Sequence, residues 1–219
     1  MSAAKEPMSK ADYVYGLLSK EIRNAEIAGG TPLRAAAVAE RLGVSITPVR
    51  EAFRRLERDR LITYERHQGA TVIDLTDDAL LEFYRVRAVV EGLGARLAAA
   101  AITEPQLQEL TALHDAMVKN EREGRHELLG EQSRRFHLAI TDIGGPSFLG
   151  EHARALHDSH SVPAGASLWL DPDQAKNQLI AHEQLCRALR AGDGYTAERI
   201  MIEHVGFSGA YRLGRRGPL

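Results

Sequence analysis

Leu42-Gly43-Val44-Ser45-Ile46-Thr47-Pro48-Val49-Arg50-Glu51-Ala52-Phe53-Arg54-Arg55-Leu56 reads as the end of one helix, a tight turn and most of a second helix. Gly43 can take the left-handed conformation that ends a helix, Ser45 or Thr47 can cap the next, and Pro48 falls in its first turn, where a missing N–H costs no hydrogen bond. Val49, Ala52, Phe53 and Leu56 recur at i, i+3, i+4 and i+7, so one face of the second helix is apolar. Ser45, Thr47, Arg50 and Arg54 point the other way. Hydroxyls and guanidinium groups at the start of a helix that a preceding helix holds in place suit insertion into a DNA major groove. A charged face opposite an apolar stripe is also ordinary in soluble proteins, so periodicity alone leaves a plain surface helix open as well.

The order of the residues adds to this. The stretch resembles the signature of the GntR family of bacterial transcription regulators, roughly L-G-V-S-R-T-P-V-R-E-A-L-x-R-L. Two positions depart: Phe53 stands for a leucine, and Ile46 stands where the family usually has an arginine that reaches bases or phosphate. Upstream, Ile22, Ile27, Gly30, Leu33 and Val38-Ala39 also fit the family pattern. The resemblance implies a winged helix-turn-helix in residues 1–75. Arg34, Ser45, Ile46, Thr47, Pro48, Arg50 and Arg54 would then face double-stranded DNA, with His67 and Gly69 at a wing tip in the minor groove.

Working outward, Ser9 to Ala28 reads as a helix, with Ser9 and Asp12 as a capping box and Val14, Leu17, Leu18 and Ile22 as its stripe; Gly29-Gly30 ends it. Leu33 to Leu42 supplies the second helix. After the recognition helix, Leu61-Ile62-Thr63-Tyr64 and Ala70-Thr71-Val72-Ile73 read as two strands of a hairpin joined by Glu65-Arg66-His67-Gln68-Gly69. Without the resemblance, His67 is a solvated turn residue.

From Thr76 onward there is no strand signal. Helices are expected over 76–101, 103–123, 126–141, 147–160, 171–191 and 193–211, broken at Gly124, Gly144-Gly145-Pro146, Pro163 to Gly165 and Gly192. The expected fold is mainly α: an N-terminal winged helix-turn-helix with a small β-hairpin wing, then an all-α antiparallel bundle over residues 76–219. The few apolar residues of Arg212 to Leu219 predict a frayed tail.

With 219 residues, 44% of them hydrophobic, the chain can bury a core and suits two small domains. No apolar run approaches the roughly 20 residues of a membrane span, and Met1 to Lys10 is too polar for a signal peptide. The lone Cys186 rules out an intramolecular disulfide, so a cytoplasmic protein is expected. A net charge of −2 argues against a generic polyanion binder. The first 75 residues are slightly basic and the rest slightly acidic, so DNA affinity should come from local placement of arginines.

The histidines show no H-E-x-x-H spacing. Taken alone, His137, His182 and His204 read as surface, core or metal-binding residues. His152, His157 and His160 read as a polar helix face, Trp169 and Met201 as core, and Cys186 as a buried inert thiol. Leu80 to Ala99, with Tyr84, Arg87 and Glu91, resembles the opening helix of the FadR C-terminal (FCD) domain. Arg135-Phe136-His137, His182-Glu183…Ala188…Gly192-Asp193 and His204 resemble its later segments.

That resemblance implies a divalent metal, zinc or nickel, held by His137, His182 and His204, with a small carboxylate effector docked on it and helped by Arg87. The family's aspartate, one turn before the first histidine, is Ser133 here. A neutral hydroxyl is a poor zinc ligand, so Ser133 should at most hydrogen-bond a metal-bound water and the metal should bind more weakly. By itself, Arg87 with Glu91 at i, i+4 reads as an internal ion pair.

The expected function is a ligand-responsive transcription regulator, not an enzyme: a homodimer on a pseudo-palindromic operator, repressing until a small carboxylate metabolite binds. Two alternatives remain: a constitutive DNA-binding protein with a structural bundle, and a three-histidine metal-dependent enzyme, for which no well-placed general base is visible.

Overall fold

A computed structural model describes residues 9–23, 26–65, 69–159 and 167–215. The chain divides into two compact units, residues 1–75 with 158–164, and residues 76–157 with 165–219.

In the first unit, α1 (Lys10–Arg23), α2 (Ala35–Leu42) and α3 (Ile46–Arg58) accompany three short strands, β1 (Pro32–Leu33), β2 (Ile62–Glu65) and β3 (Gly69–Val72). The strands form an antiparallel sheet in the order β1-β3-β2, with Ile62 opposite Val72 and Leu33 opposite Ala70. Val14, Leu18 and Ile22 of α1, Val38 and Ala39 of α2, and Val49, Ala52, Phe53 and Leu56 of α3 meet Leu33, Ile62, Ala70 and Val72 in one core.

Two expectations change here. The first helix ends at Arg23, short of Ala28. Leu33, expected in the second helix, is in β1, and that helix starts at Ala35 with Arg34 as its N-cap. The cause is the sheet. Left-handed Gly30 (φ 76°) turns the chain so that Gly30 N–H donates to the Val72 carbonyl and Val72 N–H to the Thr31 carbonyl. Burying Leu33 against the sheet outweighs the helix preference of the alanines that follow.

In the second unit, α4 (Asp77–Ala101) packs against α9 (Gly194–Arg215) and α6 (Leu129–Gly144); α5 (Glu104–Arg122), α7 (Phe148–Ser159) and α8 (Pro172–Arg190) complete the described helices. The starts of α4, α5 and α8 are capped by side chains. Thr76 Oγ1 accepts from Ala79 N–H, Gln106 Oε1 accepts from Thr103 N–H, and Asp171 Oδ1 accepts from Asp173 and Gln174 N–H. The helix expected from 126 begins instead as a 3₁₀ turn, His126–Leu128, before α6.

Small residues bring the helices close to α4. A Cβ on Gly144 would lie 2.3 Å from the Gly94 carbonyl oxygen, and one on Gly209 would lie 2.7 Å from Tyr84. The tail also departs from expectation: α9 runs to Arg215, and buried Arg212 donates through Nη1 to the Tyr84 hydroxyl at 3.1 Å. A buried hydrogen-bonded guanidinium holds the last turns that composition alone left loose. Trp169 and Met201 are core residues, and burial pushes the Cys186 thiol up to about 11. Among the described residues no helix is long and apolar enough to cross a membrane.

Candidate functional site

Gly43, left-handed at φ 64°, closes α2, and Val44 N–H donates back to the Ala39 carbonyl at 3.0 Å. Ser45 is extended and caps α3 by position, though its hydroxyl makes no capping bond. Ser45, Ile46, Thr47, Arg50 and Arg54 are exposed, Pro48 is half-buried, and Arg34 is exposed at the start of α2. The opposite side of α3 is tied down: Arg55 Nη1 donates to Asp12 at 2.5 Å and its guanidinium lies over the Tyr15 ring, while the Tyr15 hydroxyl donates to Asp59. The exposed side is thus a rigid ridge of short hydroxyls, one apolar side chain (Ile46, 42% exposed) and two arginines. His67 lies outside the described residues. Gly69 opens β3 at φ 98°, a conformation that favours glycine at a wing turn.

Inside the bundle, α6, α8 and α9 bring His137, His182 and His204 together. Their Nε2 atoms lie 2.9 Å (137 to 204), 3.2 Å (137 to 182) and 3.2 Å (182 to 204) apart. The Phe136 ring stacks on His182 with centroids 4.3 Å apart, which fixes that ring's plane. Burial, reinforced by the neighbouring imidazoles, holds His182 and His204 well below the usual histidine range, so both are neutral near pH 7. Ser133 is buried one turn before His137.

These residues fit a divalent metal. Nitrogens at about 2.0–2.1 Å from a tetrahedral zinc stand roughly 3.3 Å apart, close to the separations here. His137 Nδ1 lies 2.5 Å from Glu91 Oε2, and a carboxylate can only accept, so Nδ1 carries the proton and Nε2 offers its lone pair. The same three histidines form one of two groups, among the described residues, whose ligand atoms could surround an ion.

Glu91, 1% exposed, is the hub of a second cluster. Its Oε1 accepts from Arg87 Nε at 2.7 Å and lies 3.0 Å from His157 Nε2. Burial alone would raise Glu91, but Arg87, then His157 and His137, overcome it and hold the carboxyl well below the usual range. Burial and the Arg87 charge lower His157 to about 4, so it is neutral. Its Nε2 lies 3.2 Å from Arg87 Nη2 as well: as N–H it donates to Glu91, and as a bare nitrogen it accepts from Arg87.

The assignment of His157 to a polar helix face is therefore wrong. Its side chain is 8% exposed, because the small residues Gly150 and Ala153 share its face of α7 and let that face turn inward. Of the other two, His152 is exposed and bonded to the Phe148 carbonyl, and His160 lies outside the described residues. Glu91 was read only as the partner of Arg87. A signal was available: Tyr84, Ala88, Glu91 and Ala95 share one stripe, and a carboxylate in a buried stripe must have partners.

Comparison with known proteins gives two matching family models. Residues 10–72 match the gntR family of bacterial regulatory proteins, and residues 82–207 match the FCD domain. A probable D-xylose utilization operon transcriptional repressor of Paenarthrobacter nicotinovorans is 30% identical over 89% of this chain and 85% of its own length. The HTH-type transcriptional repressor RspR of Escherichia coli is 29% identical over 88% and 84%. Among solved structures, E. coli McbR/YncC has the same fold, with a TM-score of 0.78 over 96% of this chain and all of that one, at 24% identity.

Proposed function

The chain belongs to the gntR family of bacterial regulatory proteins and is a DNA-binding transcription regulator; we propose that it acts in the cytoplasm as a homodimeric repressor, released from its operator when a small carboxylate metabolite binds inside the helical bundle. The observation that carries this reading is the convergence of three imidazole Nε2 atoms, linked to the largely buried Arg87 through Glu91. A structural bundle has no need of such groups, each costly to bury.

In this reading His137, His182 and His204 hold the divalent ion, zinc or nickel, and the ion supplies a positive charge that attracts the carboxylate. Ser133 brings no charge to the site, which leaves room for water or effector. Arg87 is already paired with Glu91, so an effector carboxylate must share it or exchange with Glu91. Val86, Val89, Leu93 and Leu97 on the outer face of α4, with Ile202 and Phe207 of α9, are large exposed apolar residues and support pairing with a second copy. A dimer presents two α3 helices to two half-sites of a pseudo-palindromic operator. On α3, Ser45, Thr47, Pro48, Arg50 and Arg54 meet DNA together with Arg34. Ile46 meets a thymine methyl or no polar group of a base, and the wing approaches through His67 and Gly69.

The test is operator affinity, on DNA selected from a random pool, with zinc-loaded protein and a panel of organic acids. One acid should weaken binding by about 5- to 150-fold, the range of ordinary allosteric coupling. Unchanged affinity across the panel would leave a constitutive DNA-binding protein.

A further inference from the structure

α7 has little apolar substance: of its twelve residues only Gly150 and Ala153 are buried, joined by the His157 side chain at 8% exposure. Polar clips hold it instead. At its start, Gly150 N–H donates to the Gly145 carbonyl at 2.8 Å, and Arg154 Nη1 donates to both carboxylate oxygens of Asp142 on α6, at 2.5 and 2.7 Å. At its end, His157 Nε2 lies against Glu91 and Arg87 of α4. An element with few buried apolar contacts belongs to the low-stability part of a structure, from which the moving parts of allosteric proteins are drawn.

The residue after His157 faces elsewhere. One step along a helix turns a side chain by about 100°, and Asp158 Oδ1 stands 3.6 Å from Nη1 of Arg23, the last residue of α1. The division between the two compact units falls here, between His157 and Asp158, so that Asp158 belongs to the unit that binds DNA. α1 is in turn fixed to α3, by the shared core of Val14, Leu18 and Ile22 with Val49, Phe53 and Leu56 and by Arg55 on Asp12. What pulls on Arg23 therefore pulls on the recognition helix. The other end of this route has two arrangements: His157 Nε2 donates to Glu91 as an N–H or accepts from Arg87 as a bare nitrogen. Any event that gives Arg87 or Glu91 a new partner changes what holds the end of α7.

We propose that α7 is the lever by which the bundle centre acts on DNA binding, with His157 as its anchor inside the bundle and Asp158 as its hold, through Arg23, on the helix that carries α3. The Arg23 and Asp158 side chains are 33% and 37% exposed, and an ion pair this long and this exposed is weak, so it biases the DNA-binding unit rather than locking it. The inference rests on DNA binding by the chain and on neither the metal nor the effector.

The test is a double-substitution cycle read as operator affinity by fluorescence anisotropy, on full-length protein with one selected operator and zinc present throughout. His157→Leu changes only the bundle and, in the wild-type background, should shift operator affinity by about two- to fivefold, the range that an exposed ion pair can carry. In the Arg23→Gln background the same substitution should shift it by less than about 1.5-fold. Asp158→Asn should silence the effect of His157→Leu in the same way, which a direct contact of Arg23 with DNA would not do. If His157→Leu fails to fold, His157→Asn, polar but shorter, takes its place. No shift from the His157 substitution in the wild-type background, or a shift that survives Arg23→Gln or Asp158→Asn, overturns the proposal. Because no effector enters the experiment, either result leaves the effector reading to its own test.

Discussion

At the start of α3 the side chains proposed to meet DNA, Ser45, Ile46, Thr47, Arg50 and Arg54, lie within ten residues of sequence and stand in solvent. In the bundle, Arg87, Glu91, His137, His157, His182 and His204 come from five helices and are almost wholly withdrawn from water. The first arrangement separates function from folding, because an exposed side chain can change without leaving a buried charge behind. The second joins them, since every group in it is another's partner. Substitutions should therefore act differently in the two regions.

The largest effect expected is on Glu91→Gln. It leaves the Arg87 charge buried without its carboxylate, and removal of one member of a buried pair costs about 3–5 kcal/mol. Urea unfolding measures it. If Glu91→Gln unfolds at the wild-type midpoint, the bundle centre is no more bound to stability than the surface of α3, and the contrast fails.

Next comes pH. Glu91 is lowered, so its contribution is present above its unfolded pKa and is lost as pH falls through the folded value. His157, His182 and His204 are lowered too, so below about 6.5 the unfolded chain takes up protons that the folded chain refuses. Both work in the same direction: metal-free protein should lose stability on acidification. The share of His157, between about 6.5 and its folded value of about 4, is of order 3 kcal/mol. Denaturation at neutral pH and at about pH 5 should differ for wild type and differ less for His157→Leu. Equal pH dependence in the two proteins would show that His157 does not sit neutral beside Glu91 and Arg87.

Arg50→Ala should weaken operator binding by about 1–3 kcal/mol if the contact to a base is bidentate, and change unfolding by no more than about 0.5 kcal/mol. A large stability loss with intact DNA binding would invert the comparison. The smallest effect is that of Ile46→Arg. An added guanidinium at this exposed position should raise non-specific DNA affinity and steepen the salt dependence by about one unit of log–log slope, or shift the preferred half-site. An unchanged selected sequence and an unchanged slope would place residue 46 away from DNA.

The same contrast explains what could be read from the sequence. The helix-turn-helix was legible because its signals are local: Gly43 ends one helix, Ser45 stands at the N-cap position of the next, though without a side-chain capping bond, and the stripe Val49, Ala52, Phe53, Leu56 is buried as its spacing requires. β1 was not, since two residues join a sheet only through partners that lie far off in sequence, at Ala70 and Thr71. In the bundle, the resemblance to the FCD domain picked out the three histidines, but helix spacing alone could not show that they converge. His157 was misjudged because its inward turn is set by packing of α7, and Arg212 because its partner, Tyr84, stands on the first helix of the bundle.

Metal stoichiometry tests the bundle centre most directly. Protein purified without a histidine tag, saturated with zinc or nickel and then dialysed, should retain about one ion per chain, and His182→Ala should retain almost none. Less than about a tenth of an equivalent in wild type, or equal loading of both proteins, would contradict the account and leave the three imidazoles as a polar core.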